Sequence, residues 1–421
     1  MIAKTTPQTI VLPFYGYAAV SLCVAMSLLC LSVQAFTGHY FHPHILAVTH
    51  SMALGWGTMM ILGASYQLMP VITESDLFSE TLAYVSFFAA AAGIPLLVYA
   101  FYVFDMGIPA QAGAILINVS VACYVINQVG SYTRSRHQNM HGLFMVAAAC
   151  WLLLTTLVGL LLVFNFSNNV LSKDSLYYLS LHAHMGIAGW FLLMIVGVGT
   201  RLIPMFLLSK YESAHLLKII YWFINASLIA FVILFLGQAP PDWYFVPITG
   251  LLTAILQFGY YCRRAYQERI RKTTDTPVKL SLLSIVMTFL PVLLLLSLLA
   301  APGVSSGKLA LFKAYGFVIF FGWITTLILG MTFKTLPFII WNKRRYDAVV
   351  SDKKQGPGNL YSHKWFAAMA LVYMTGFSVF LTGIFTEQIS FLQTGSVLLL
   401  IASLLFNLNV AKLFMHQPVH T

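Results

Sequence analysis

Three histidines, His50, His182 and His184, lie inside apolar runs long enough to cross a membrane. A polar ring placed in hydrocarbon needs a partner, so an intramembrane histidine is a functional residue by default. Imidazole is the commonest transition-metal ligand and a frequent axial ligand of haem iron, and two axial imidazoles give a low-spin, electron-transferring centre. All three histidines are expected near the outer ends of helices running in one direction. That common depth suits gripping one object between helices. Residues two apart on a helix project about 200° apart, so His182 and His184 are expected to look into different inter-helix spaces. A second group, His39, His42 and His44, stands in the loop TGHYFHPH at 37–44. It reads either as a polar loop at the membrane surface or as a surface copper or zinc site. His137 and His141, four apart, would share a helix face at metal-ligand spacing. They stand beside Arg134 and Arg136, where interfacial capping is the better account.

The elements that carry these histidines repeat. Counting from His184 as zero, Gly189, Trp190, Gly197, Arg201 and Pro204 stand at +5, +6, +13, +17 and +20. From His50 the same offsets hold Gly55, Trp56, Gly63, Gln67 and Pro70, and from Phe317 they hold Gly322, Trp323, Gly330, Lys334 and Pro337. The zero positions are 134 and 133 residues apart, about a third of the chain. A fixed period of scarce residues is the mark of a repeat architecture. Gly55 and Gly189, by lacking side chains, admit either a neighbouring helix or a flat macrocycle; beside intramembrane histidines and many aromatics, a porphyrin is the stronger reading. Position +17 falls about 26 Å along the helix from zero, so Gln67, Arg201 and Lys334 are read as anchors at the inner surface.

With 59% hydrophobic and 8% charged residues and a mean hydropathy of +0.84, the chain reads as an all-α integral membrane protein. Spanning runs fall roughly at 11–36, 44–69, 80–104, 108–131, 139–164, 178–207, 215–237, 243–263, 278–300, 309–340, 361–385 and 390–414. Twelve helices make three pseudo-symmetric repeats of four in one membrane domain, about 1–132, 133–270 and 271–421, with the repeated skeleton on the second helix of each. The net charge of +11 is a topology signal: with the N-terminus inside, all of the 23 Lys and Arg but Lys173, Lys308 and Lys313 lie on the inner side. Both termini are then cytoplasmic, the basic runs meet anionic lipid, and nucleic acid is not a partner. The five cysteines are scattered without a CxxC and read as buried small residues. The loop 347–362, rich in Gly, Pro and charge, is expected to be mobile, and His215, His363, His416 and His420 carry no role.

The run HAHMGIAGW at 182–190, continuing to Gly197 and Pro204, together with THSMALGW at 49–56, resembles the haem-ligating helix of the haem–copper oxidase catalytic subunit, a superfamily that includes nitric oxide reductases. The twelve-helix, three-times-four plan is similar too, so the resemblance covers nearly the whole chain. It implies haem b, with one member of an HxH pair serving a haem on each side and a histidine of the second helix completing a low-spin site. The chain departs from the pattern where Tyr315 and Phe317 replace the HxH of the tenth helix, and where the seventh helix lacks a His-His pair. Carried over residue by residue, the resemblance pairs His50 with His182 on haem b. It leaves His184 as the alternative partner or a second-site ligand, facing Tyr315.

The expected function is therefore a haem-binding relative of the oxidase subunit, in electron transfer, respiration or nitric oxide chemistry, in a bacterial inner membrane. Redox partners, further subunits and a diatomic gas are its expected partners. Copper is disfavoured, because only His184 is available in the matching space. With no Asp, Glu or Lys at the expected mid-membrane depth, proton pumping is disfavoured as well. The alternatives are a non-catalytic haem-based sensor or assembly factor, and a haem or metal transporter. Transporters of twelve helices are commonly two halves of six, whereas this chain repeats in fours.

Overall fold

The computed structural model describes residues 6–270, 272–300, 306–347 and 356–415. Among the described residues, twelve helices are long and apolar enough to cross a membrane. They are α1 (Gln8–Leu31), α2 (Pro43–Thr73), α3 (Glu80–Val103), α4 (Ile108–Arg134), α5 (Met140–Asn168), α6 (Ser175–Leu207), α7 (Ala214–Leu236), α8 (Pro241–Gln267), α9 (Thr276–Ala300), α10 (Gly307–Trp341), α11 (His363–Thr386) and α12 (Ile389–Phe414). Every span expected from the apolar runs is present, its ends moved by a few residues. Among the described residues the extended pairing is limited to one antiparallel bridge, Ser209 with Arg269. Of the loop expected to be mobile, residues 348–355 lie outside the described residues, as do His416 and His420.

Helix starts follow from local chemistry. The side chains of Ser79, Asn139, Asp174, Ser213, Asp275 and Ser362 each accept a backbone N–H in the first turn of α3, α5, α6, α7, α9 and α11, satisfying a donor that the helix itself cannot. Pro43 opens α2 at a position where its missing N–H costs nothing, and His42 caps that helix by accepting the His44 N–H at 3.2 Å.

The chain forms two compact units, one of Met1–Val11 and Leu62–Thr274, the other of Leu12–Ile61 and Asp275–Thr421. In the first, α3 and α4 approach backbone to backbone: a Cβ on Gly93 would stand 2.9 Å from the Gly113 carbonyl oxygen, and one on Gly113 2.9 Å from that of Gly93. In the second, α11 meets α12 in the same way, a Cβ on Gly376 falling 3.1 Å from the Gly395 carbonyl. Small residues at such crossings gain close van der Waals contact where lipid offers no hydrophobic drive.

Some polar residues make contacts that spacing does not disclose. Lys313, expected among the outer charges, is buried, and its ammonium donates to the carbonyls of Phe36 at 2.7 Å and Gly38 at 3.0 Å, at the end of the turn after α1. Lys334 pairs with Asp275 at 2.6 Å, tying α10 to the start of α9. Of the cysteines, Cys262 is buried and Cys150 exposed, so burial does not account for all five.

Candidate functional site

In each of the three repeated segments the helix widens immediately after the zero position. Wide π-type turns run over Ser51–Thr58 after His50, Met185–Leu192 after His184 and Val318–Ile324 after Phe317. Such turns lengthen the hydrogen-bonded ring to five residues and recur at functional sites. In α10 two carbonyls of the wide turn also accept hydroxyls: Tyr373 donates to the Phe321 carbonyl at 2.6 Å, and Thr325 to that of Phe320 at 2.6 Å, the latter accepting the Thr325 backbone N–H as well. Thr325 Oγ1 in turn accepts the Trp56 indole N–H at 2.9 Å, so the +6 tryptophan of α2 is fixed against α10 within the second unit.

The three intramembrane histidines share one arrangement. In the second unit, His50 Nδ1 lies 2.9 Å from the Leu46 carbonyl. In the first, His182 Nδ1 lies 3.0 Å from the Thr155 carbonyl of α5, and His184 Nδ1 lies 2.8 Å from the Ser180 carbonyl. A carbonyl only accepts, so each Nδ1 carries the proton and the lone pair falls on Nε2. A backbone carbonyl on one ring nitrogen is the usual support for a histidine whose other nitrogen binds metal. His182 and His184 do diverge: the first lies over Gly159 of α5, where an added Cβ would stand 2.9 Å from its ring, and the second lies 5.3 Å from the Phe231 ring of α7.

The rest of the expected site is arranged otherwise. Gly189 does not leave space for a macrocycle, because a Cβ there would meet the Trp151 side chain of α5 at 2.7 Å. Gly197, eight residues on, abuts Phe144 of the same helix, so both glycines serve helix packing. Gly55 is buried within its wide turn. In the third segment, Phe317 fills the zero position with an aromatic stack, its ring 4.6 Å from Phe321, 5.4 Å from Phe377 and 4.7 Å from Phe380. Tyr315, two residues earlier, is half-buried. The three imidazoles are thus of a type and tautomer that ligates metal through Nε2, while the contacts made by Gly189 give no cradle for a ring system.

His137 and His141 do not share a helix face, because α5 begins at Met140 and leaves His137 in the loop before it, 3.8 Å from Glu74. His141 is buried, with Nδ1 3.0 Å from the Gly197 carbonyl and 3.2 Å from Thr200 Oγ1. In the α1–α2 loop, His39 and His42 each use Nδ1 to accept a backbone N–H, from Phe41 at 3.1 Å and from His44 at 3.2 Å. The His42 and His44 rings lie 5.0 Å apart, yet no group of three His, Cys, Asp or Glu that could hold a metal ion occurs among the described residues.

The proline at +20 has a consequence that spacing alone did not disclose. It lacks the N–H that would reach the carbonyl four residues before it. In the first unit, Thr6 Oγ1 donates to the freed Tyr66 carbonyl at 2.7 Å, and the Tyr261 hydroxyl donates to the freed Thr200 carbonyl at 3.1 Å. Pro70 and Pro204 are the visible signal; the hydroxyl donors, distant in sequence, are not.

Compared with the known protein families and with curated proteins, the chain matches none.

Proposed function

We propose that this chain is a membrane haem protein, related in plan to the haem–copper oxidase subunit, with a b-type haem ligated through the Nε2 atoms of histidines drawn from His50, His182 and His184. The observation that carries this reading is the shared Nδ1-to-carbonyl bond, at 2.8–3.0 Å in all three. It sets one tautomer and one ring orientation, and so presents an imidazole lone pair beside a wide turn in each of two repeated helices. Haem iron held between imidazoles supplies one-electron transfer. The protein's part is to hold the rings, to exclude water and to keep Nδ1 protonated. No role in oxygen or nitric oxide reduction is assigned to any other side chain, and copper remains disfavoured.

The charge distribution supports placing both termini on the cytoplasmic side, in a bacterial inner membrane. The test is spectroscopic. Protein purified in detergent should carry a reduced-minus-oxidised haem b band, weakened or shifted in His50→Ala and His182→Ala. Carbon monoxide distinguishes the two functional classes: a fully imidazole-ligated haem leaves the band unchanged, whereas a reactive open haem shifts it. A preparation with no haem band, or a band indifferent to all three histidines, would sink the proposal.

A further inference from the structure

The first unit contains a ladder of polar side chains along α4, and on the same helix stands an amide with no protein partner. It starts at the α2–α3 loop, where Glu74 is exposed and Ser75 Oγ pairs with Thr73 Oγ1 at 2.8 Å and donates to the Ser131 carbonyl at 3.4 Å. Ser131 Oγ, on α4, accepts the Phe78 N–H at 2.9 Å and donates to the Asn127 carbonyl at 2.8 Å. Asn127 exchanges hydrogen bonds with the Ser79 backbone at 3.1 and 2.7 Å. Two turns beyond Ser131, the Tyr124 hydroxyl meets Ser65 Oγ at 2.9 Å. Between them, one turn from each on the same helix, stands Gln128.

Gln128 is wholly enclosed, at 0% exposure, and neither its Oε1 nor its Nε2 has a protein hydrogen-bond partner. A primary amide offers two donors and an acceptor with two lone pairs. Leaving both ends bare is costly in any interior, and more so in a helix bundle surrounded by lipid. Tyr124 and Ser131, one turn away on either side along the same helix face, bear hydroxyls, and a partner for both ends of an enclosed amide must be small and able both to donate and to accept. Water meets those terms, and buried waters bind where several polar groups would otherwise stay unsatisfied.

We propose that Gln128 anchors an internal water site in the first unit, reached along the Thr73–Ser75–Ser131 ladder from the α2–α3 loop. The site is independent of the haem reading. It is tested on the full-length protein in detergent by hydroxyl-radical footprinting with a brief X-ray pulse, which generates radicals from water where that water sits. Tyr124, itself at 0% exposure, is the reporter. The expected result is oxidation of Tyr124 in the wild type and its loss in Gln128→Leu. A wild-type Tyr124 that stays unmodified, or one modified equally in the variant, overturns the site. Thermal midpoints give a second reading: a dry amide predicts that Gln128→Leu is more stable than wild type, and that outcome also overturns the proposal. If Gln128→Leu does not fold, Gln128→Met replaces it, and the wild-type measurement alone remains able to refute the site.

Discussion

The Tyr261 hydroxyl donates to the Thr200 carbonyl at 3.1 Å, and that carbonyl is the one whose in-helix donor Pro204 removes. The two residues lie on α8 and α6, so a defect in one helix is met by a side chain of another. Tyr261→Phe should therefore cost about 1–3 kcal/mol, the range for leaving a buried acceptor unsatisfied. In a Pro204→Ala background the helix regains its own N–H, and the penalty for losing the hydroxyl should shrink. A double-mutant cycle on thermal or denaturant unfolding in detergent measures this; equal penalties in both backgrounds would show that the hydroxyl is not serving the proline's orphan.

Phe317 offers a test of the third segment. Its ring lies within 5.4 Å of three other phenylalanine rings, and its residue is 3% exposed. Truncation to alanine removes that packing and leaves a cavity, so Phe317→Ala should destabilise by roughly 3–5 kcal/mol. Phe317→Leu should cost less. Neither change should alter a haem spectrum, because this copy contributes no imidazole. A spectrum lost in a Phe317→Leu protein of near-normal stability would contradict that division of labour.

How much of this was legible beforehand depends on whether a signal is local. The helices were legible because an apolar run of spanning length is a one-dimensional property, and the wet ends declare themselves through capping residues such as Ser79 and Asn139. The +5 glycine was ambiguous in principle, since a missing side chain looks the same whether Trp151 or a macrocycle occupies the space. The contacts of His141 and Lys313 are not legible for a related reason: the carbonyls of Gly197 and Phe36, which hold them, belong to distant segments. The wide turns following His50, His184 and Phe317 were invisible to a fixed 3.6-residue period, although the repeated Gly-Trp pair marks their place.

The placement of His182 against α5 makes a prediction that leaves every ligand intact. A Cβ on Gly159 would stand 2.9 Å from the His182 ring, closer than such contacts normally allow, so Gly159→Ala must turn or displace that ring. If His182 binds iron, the low-spin electron paramagnetic resonance signal of the oxidised protein should change in position in Gly159→Ala. Gly189→Ala, which presses on Trp151, should instead lower stability with the haem signal held in place. The reverse pattern would return Gly189 to the cofactor and remove His182 from it.

The α1–α2 loop gives a pH dependence with a defined sign. Burial, followed by the neighbouring charge of His44, pushes the His42 imidazole below its ordinary value of 6.5. The folded state thus binds this proton less readily than the unfolded chain, and stability rises with pH wherever the unfolded state holds more protons. The contribution is complete above 6.5 and falls away as the pH drops below it. The structural cause is the cap itself: His42 Nδ1 accepts the His44 N–H only while unprotonated. Amide exchange should therefore show the first turn of α2, from His44 to Leu46, losing protection between about pH 7 and pH 5. His42→Asn keeps an acceptor that does not titrate in this range, and should hold protection flat across it. His42→Ala should be poorly protected at every pH. A wild-type profile as flat as that of the asparagine variant would mean that protonation of His42 does not govern the start of α2.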